Sequence, residues 1–300
     1  MIFKQLTKTF AFIWSHPLNR HHRMRGVARF VHWQTAMRLT NSPMVYPWIN
    51  GVQALISIGE SGFTKNVYCG LHEYVEMLFL LHSLRPSDLF VDVGANVGAY
   101  TLLAGGVVQA RVIAIEPVPS TFRRLENNVF LNRLADRVQL VQCGVGARAA
   151  IAEFSTSLNC MNHVLGEVTS ASVDSVALPI RTLDDLLDGT SPFAIKIDVE
   201  GYEAAVLEGA QSTLRSEALQ VIIMELNGSS RRYGIDESTI LTEMAKFDFT
   251  PATYEPFYRK IIPLSGKCRT SENTLFIRGS DGLRDRIRTA AAVRINQLEI

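Results

Sequence analysis

Apolar and polar positions divide the chain into a helical front and a core in which strands and helices alternate. Ile2, Phe3, Leu6, Phe10, Ile13 and Trp14 recur at helical spacing and predict a helix over 2–14. Pro17 interrupts it. Residues 19–39 read as a second helix, with Val27, Phe30, Val31, Gln34 and Met37 along one stripe. A two-proline loop is expected from Asn41 to Pro47. Residues 52–69 read as short strands around the turn Gly59-Glu60-Ser61-Gly62, and a helix over 72–84 stops before Pro86. Beyond it, strand patterns at 89–93, 111–115, 138–142, 193–198 and 220–225 alternate with helical patterns at about 99–109, 119–132, 182–188, 203–216 and 236–247. Such alternation predicts an α/β fold, a mostly parallel sheet covered on both faces. Apolar segments around 249–254 and 273–278 predict a terminal antiparallel hairpin at the sheet edge. The last twenty residues predict an exposed amphipathic helix.

Composition changes this picture little, but charge distribution does. Of 300 residues, 47% are hydrophobic and 20% charged, as in ordinary globular proteins. Residues 1–59 hold Lys4, Lys8, Arg20, Arg23, Arg25, Arg29 and Arg38 and no Asp or Glu; with a net charge of +1 overall, the remainder is −6. Cys69, Cys143, Cys160 and Cys268 form no C-x-x-C pair, so a reduced compartment is expected. No apolar stretch reaches membrane-spanning length, and none is followed by a signal-cleavage pattern. A cytoplasmic location, with peripheral membrane contact as an option, follows as the expectation.

The chemistry concentrates in LFVDVGANVGAYT at 89–101. A buried strand carries one carboxylate, Asp92, breaks into Gly94-Ala95-Asn96-Val97-Gly98 and opens a helix. Gly94 and Ala99 occupy the first and third positions of a dinucleotide loop, but the second holds Asn96, whose side chain fills the space a pyrophosphate needs. A zwitterionic amino-acid moiety suits the loop better, its carboxylate on helix N–H groups and its ammonium near Asp92. Glu116 ends the second strand 18 residues beyond Gly98, where a carboxylate can accept a ribose diol. Asp92, the glycines and Glu116 together point to S-adenosylmethionine.

FVDVGANVGAYTLL (90–103), VIAIEPVPSTFRRLENNVFLN (112–132), RTLDDLL (181–187), IKIDVEGYEAAVLEGA (195–210) and NTLFIR (273–278) resemble, in order, the FkbM family of class I methyltransferases. The resemblance implies a Rossmann-like seven-stranded sheet, S-adenosylmethionine as donor, and O-methylation of a hydroxyl, often on a sugar, glycan or glycosylated metabolite. An NAD-dependent oxidoreductase and a non-catalytic cofactor-binding protein are the alternatives.

Asp198, Glu200 and Tyr202 follow the fourth strand on the side where ligands bind in open α/β sheets. Apolar neighbours predict burial of Asp198 and a basicity suited to proton removal. His163, in a polar stretch after the third strand, is the second candidate base. Asp92, Gly94, Asn96, Gly98, Glu116 and Cys143 are the candidate cofactor residues, Cys143 on the adenine side. Asp198, Glu200 and Glu225 are the nameable Mg²⁺ ligands, with no tight cluster evident, so no metal is expected. His72-Glu73 is a candidate lid. Tyr233, Tyr254, Phe257 and Tyr258 are candidates to line an acceptor pocket, and Arg231, Arg232, Arg259 and Lys260 to hold an anionic acceptor. Glu203 and Glu208 read as solvated helix charges.

The domain reading is a basic helical extension at 1–70, a methyltransferase domain at 71–280 and a C-terminal helix at 281–300. The basic front reads as a cap on the core, as a contact with an anionic membrane or lipid-linked glycan, or as a transit-type segment. No nucleic-acid reading module is present; the expected partner is a small-molecule or glycan acceptor.

Overall fold

The computed structural model describes residues 2–58, 60–155, 163–164, 174–279 and 281–300. Helices α1 (Ile2–Ser15) and α2 (Arg23–Thr40) precede a ribbon of β1 (Met44–Pro47) and β2 (Gln53–Ile56). A strand therefore replaces the expected loop before Pro47, because a two-stranded ribbon tolerates proline at its end. Helix α3 (Ser61–Cys69) replaces the strand expected after β2, its first turn tied down by Thr64, whose hydroxyl donates to the Glu60 carbonyl. Gly59 lies outside the described residues. Helix α4 (Tyr74–Ser83) follows, fully buried from Glu76 to Ser83.

The core strands are β3 (Leu89–Val93), β4 (Arg111–Ile115) and β5 (Val138–Val141), joined by α5 (Ala99–Leu102), which continues as a π-helical turn over 103–108, and by α6 (Pro119–Leu131). Pro119 sits in the first turn of α6, where no intrahelical N–H is lost. A small sheet of β6 (Gly144–Val145), β7 (Ala150–Ser155) and β8 (Ser175–Arg181) comes next. Then follow α7 (Leu183–Leu187), β9 (Ala194–Ile197), α8 (Glu203–Glu208), α9 (Gln211–Arg215), β10 (Val221–Glu225) and α10 (Glu237–Ala245). Strands β11 (Thr250–Glu255), β12 (Lys260–Pro263) and β13 (Asn273–Ile277) complete the sheet. Helix α11 (Asp281–Thr289) and a ribbon of β14 (Arg294–Ile295) and β15 (Leu298–Glu299) end the chain.

The main sheet has eight strands in the order β12-β11-β13-β10-β9-β3-β4-β5. The five from β10 to β5 are parallel and the other three antiparallel. The eighth strand, beyond the expected seven, is β12, which adds a hairpin to the edge of β11. The terminal segment is not an exposed helix. Leu283 and Ile287, one turn apart, are 3% and 1% exposed, and Arg286 pairs with Asp88 at 2.5 Å.

Strand parity decides where charge goes. Leu89, Val91 and Val93 of β3, with Ile195 and Ile197 of β9, pack into the core on one face. Phe90 and Ala194 pack into the other, together with Ile13, Trp33 and Met37 of the helical front and Leu78 of α4. Asp92 and Lys196 alternate onto this second face and are register partners. Glu225 shares the parity of Val221 and Ile223, which pack there too, and pairs in register with Asn273. One face of an otherwise apolar sheet thus carries a row of charge at the carboxyl ends of its strands.

Candidate active site

The chain reverses its winding direction between β4 and β9, on either side of β3, the switch point where open α/β sheets bind ligands. A cavity of about 390 Å³ opens there, between the sheet's carboxyl edge and residues 62–77 of the front helices. Gly94 turns the chain at φ +80°, and a Cβ on it would lie 1.8 Å from the Asp198 carbonyl oxygen. The glycine therefore lets the loop after β3 press against the loop after β9. Gly94→Ala is expected to cost at least about 2 kcal/mol, from an overpacked backbone contact plus a left-handed alanine; a denaturant midpoint that stays at the wild-type value contradicts this.

Asn96 adopts φ +51°, which asparagine tolerates, and its N–H donates to Glu116 Oε2 at 3.0 Å. Val118 N–H donates to Glu116 Oε1, also at 3.0 Å. The N–H groups of Gly94 and Ala95 both donate to the Ile115 carbonyl. The loop's own donors thus hold its shape, and the first turn of α5 is what remains to meet an anion. Burial pushes Glu116 up to about 7, against the pull of those two N–H groups. Asp92, 2% exposed, accepts from Thr101 Oγ1 at 2.6 Å; burial pushes it up to about 6, with Thr101 and Lys196 opposing.

Lys196 is 2% exposed, and its Nζ donates to Asp198 Oδ2 at 2.7 Å and lies 4.8 Å from the Tyr100 ring centroid. Burial works against its charge, but Asp198, Glu73 and Glu225 outweigh it and hold the ammonium above its usual range. Tyr100 donates to Glu73 Oε2 at 2.7 Å. Burial also opposes the Glu73 charge, yet Lys196 and His72 keep that carboxyl below its usual range. On the far side of Asp198 lie Glu200 and Glu225. Burial and the Asp198 charge raise both, Glu200 to about 7 and Glu225 well above the carboxylate range. Glu225 Oε2 is buried without a hydrogen-bond partner among the described residues.

Asp92, Gly94, Asn96, Glu116, Cys143 and Asp198 line the one cavity. Cys143 is buried beside β6, and burial raises its thiol. Gly98 lies behind the lining at the N-cap of α5. His163 is not among the lining residues: its N–H donates to Ser155 Oγ and its carbonyl accepts from Ser155 N–H, which places it at the end of β7, while its neighbour Val164 faces the cavity. Asn162 and Cys160 lie outside the described residues.

Several expectations change. Asp198, expected to be buried, is half-buried and pairs with Lys196. Asp198, Glu200 and Glu225 do cluster, presenting oxygens within 4.8 Å of one another, and Lys196 is the cation already beside them. Glu203 is no solvated charge: at 1% exposure it accepts the N–H groups of Val199 and Gly201 and braces the loop after β9. Tyr254 is buried against His82, and Tyr258 is 84% exposed. Tyr233 reaches the site indirectly, edge-on to the cavity-lining Tyr202. Arg259 caps α11 through the carbonyls of Ile287, Arg288 and Ala290 and is not among the cavity lining, while Arg232 binds the Glu200 carbonyl. Sequence reasoning missed Tyr100 and Lys65, both in the lining. Tyr100 had a signal: with Thr101 it is a polar pair at the start of an otherwise apolar helix.

Asp92 and Glu116 thus flank a cavity at the switch point of an open α/β sheet, where folds of this class bind their ligands. Residues 92–250 match the Methyltransferase FkbM domain, and the chain belongs to that family; it is a methyltransferase. Hexuronic acid methyltransferase AglP of Haloferax volcanii is 28% identical over 183 residues, 56% of this chain and 70% of that protein. Methyltransferase sdnD of Sordaria araneosa is 38% identical over 210 residues, 59% of this chain and 80% of that protein. 31-O-demethyl-FK506 methyltransferase FkbM of Streptomyces tacrolimicus is 38% identical over 84 residues, 26% of this chain and 30% of that protein. Among the described residues, no helix is long and apolar enough to cross a membrane.

Proposed function

We propose that the chain methylates a hydroxyl of a sugar, a glycan or a glycosylated small molecule, with S-adenosylmethionine as donor. The observation that carries this is the pairing of Asp92 and Glu116 across one glycine loop in one cavity. The residues fit the donor. Each Glu116 oxygen accepts a single backbone N–H, which leaves lone pairs for a ribose diol. Asp92 offers a carboxylate to an ammonium, and Lys65 with the first turn of α5 offers donors to a carboxylate. The volume lies within the range of small-molecule sites. When bound, S-adenosylmethionine supplies a methyl group on a sulfonium.

The protein's own part is to align a hydroxyl and take its proton. Of the carboxyl groups in the lining beyond the donor residues, Asp198 is the one oriented by the Lys196 ammonium at 2.7 Å. Glu200, at about 7, can hold a proton passed on from Asp198 near neutral pH. Glu272 lines the cavity near Glu200, which adds its own charge once ionised, while Glu225 is held protonated and adds none; the ionised carboxylates favour a neutral, hydroxyl-rich acceptor over a uronate. The relatives named for a hexuronic acid and for an O-demethyl compound support sugar and hydroxyl acceptors in general.

Calorimetric titration with S-adenosylmethionine and with NAD tests the donor; binding of NAD alone overturns it. A pH dependence follows as well. In the free chain Glu116 and Asp92 hold protons up to about 7 and about 6. A diol and a cation bind the ionised forms, so binding releases protons. Affinity for S-adenosylmethionine is expected to rise as pH climbs from about 6 to about 8 and then to level off. Titrations in buffers of different ionisation enthalpy read the proton release directly, and no release at pH 6.5 would contradict the assignment.

A further inference from the structure

Helix α1 is fixed to the body by one face and left bare on another. Ile13 is fully buried and Phe12 packs edge-on to His16 and His72. Leu6, Phe10 and Trp14, four residues apart, are 44%, 46% and 38% exposed, with the Phe10 and Trp14 rings stacked at 5.6 Å. Met24 and Val31 of α2 add exposed apolar surface. The Arg23 guanidinium lies 5.5 Å from the Trp14 ring centroid. Among the described residues, Lys8, Arg20, Arg23 and Arg25 take part in no ion pair, and no acidic residue occurs before Glu60. Beside them a cavity of about 230 Å³ between the start of α2 and the terminal ribbon is lined by His22, Arg25 and Arg29 and, among the described residues, by no carboxylate side chain. Arg29 is held in place by the Tyr68 carbonyl and Asn19.

We propose that α1 and the start of α2 dock the enzyme onto an anionic lipid bilayer. Leu6, Phe10 and Trp14 enter the boundary between headgroups and acyl chains, and Arg23, over the Trp14 ring, with its neighbours Arg20 and Arg25 meets lipid phosphates, as interfacial helices do. Charge selects this occupant. A second copy of the chain would bring the same unpaired Arg20, Arg23 and Arg25, from a segment with no acidic residue, against itself, whereas an anionic leaflet complements them. The docking surface and the active cavity share α3, whose Tyr68 carbonyl is gripped by Arg29 and whose Lys65 lines the cavity.

Co-sedimentation of the full chain with vesicles tests this, using phosphatidylglycerol–phosphatidylcholine mixtures against phosphatidylcholine alone. Binding is expected on the anionic vesicles and is expected to fall as salt rises. Leu6→Ser/Phe10→Ser/Trp14→Ser lowers partitioning at least about ten-fold. Arg20→Gln/Arg23→Gln/Arg25→Gln lowers it about a hundred-fold, at about five-fold per charge. Arg20, Arg23 and Arg25 are exposed and in no ion pair among the described residues, so the glutamine variant should melt within a few degrees of wild type while losing binding, which separates lost docking from lost folding. Absent binding, equal binding to both vesicle types, or wild-type binding by the serine variant overturns the proposal. So does a wild-type dimer in solution that the serine variant converts to monomer, because the stripe is then an interface between copies. Binding of inorganic phosphate without vesicle binding likewise overturns it, and assigns the basic cavity to a free anion.

Discussion

Asp198→Asn lowers kcat/KM by roughly 10²- to 10⁴-fold while S-adenosylmethionine still binds with near-native affinity. The substitution keeps the shape of the side chain and removes its capacity to accept a proton. The donor residues Asp92 and Glu116 sit on other strands and keep their partners Thr101, Asn96 and Val118. Asp198 also holds the loop after β9 through its backbone, its N–H on the Val93 carbonyl, and that contact survives the change. Isothermal titration separates the two effects. A variant that loses donor affinity and turnover in proportion would make Asp198 a structural residue instead.

Lys196→Met destabilises the fold by about 3 kcal/mol, because removing one partner of a buried pair leaves the others uncompensated. The lower end of that range applies, since the Asp198 side chain is 30% exposed and keeps some solvent. Glu73 and Glu225 lose the same cation. A melting temperature about 5–10 °C lower is expected. The loss should be larger at neutral than at acid pH. Without Lys196, Glu73 is a carboxyl whose pKa burial raises above its unfolded value, so its folded form is penalised increasingly as pH rises past that value. Calorimetry at pH 5 and pH 7.5 checks the sign; a variant as stable as wild type at both would remove Lys196 from the account.

Most of the parallel core was legible because its strands are continuous apolar runs and its helices have strong period and clear stops. Asp92 and Glu116 were legible for a related reason: each is the one carboxylate at the end of an apolar strand, and strand ends are where this topology puts ligands. Much of what surrounds them was not. Glu73 and Tyr100 meet across 27 residues, and Lys196 reaches Glu73 from the opposite end of the chain's order. No local period encodes such a contact. Strand parity, applied to β3, β9 and β10 together, would have put Asp92, Lys196 and Glu225 on one face, but it requires the strand order first. Glu203 read as a surface charge because its helix is short and its buried role is to accept two N–H groups of a strained loop. Asn96 illustrates the reverse. Sequence reading took it as an obstacle to a pyrophosphate, and the structure adds that its left-handed backbone turns an N–H onto Glu116. The extra strand β12 escaped because Lys260–Pro263 is a short edge strand with three of its four residues exposed.

Transfer of isotopically labelled methyl from S-adenosylmethionine into a cellular extract of glycans and glycosylated metabolites, followed by mass analysis of the products, tests the central claim most directly. The account predicts a labelled methyl ether on a neutral, hydroxyl-bearing acceptor with the wild-type chain and a loss of roughly 10²-fold or more with Asp198→Asn. Label on a nitrogen or a carboxylate, or equal transfer by the two chains, would contradict it.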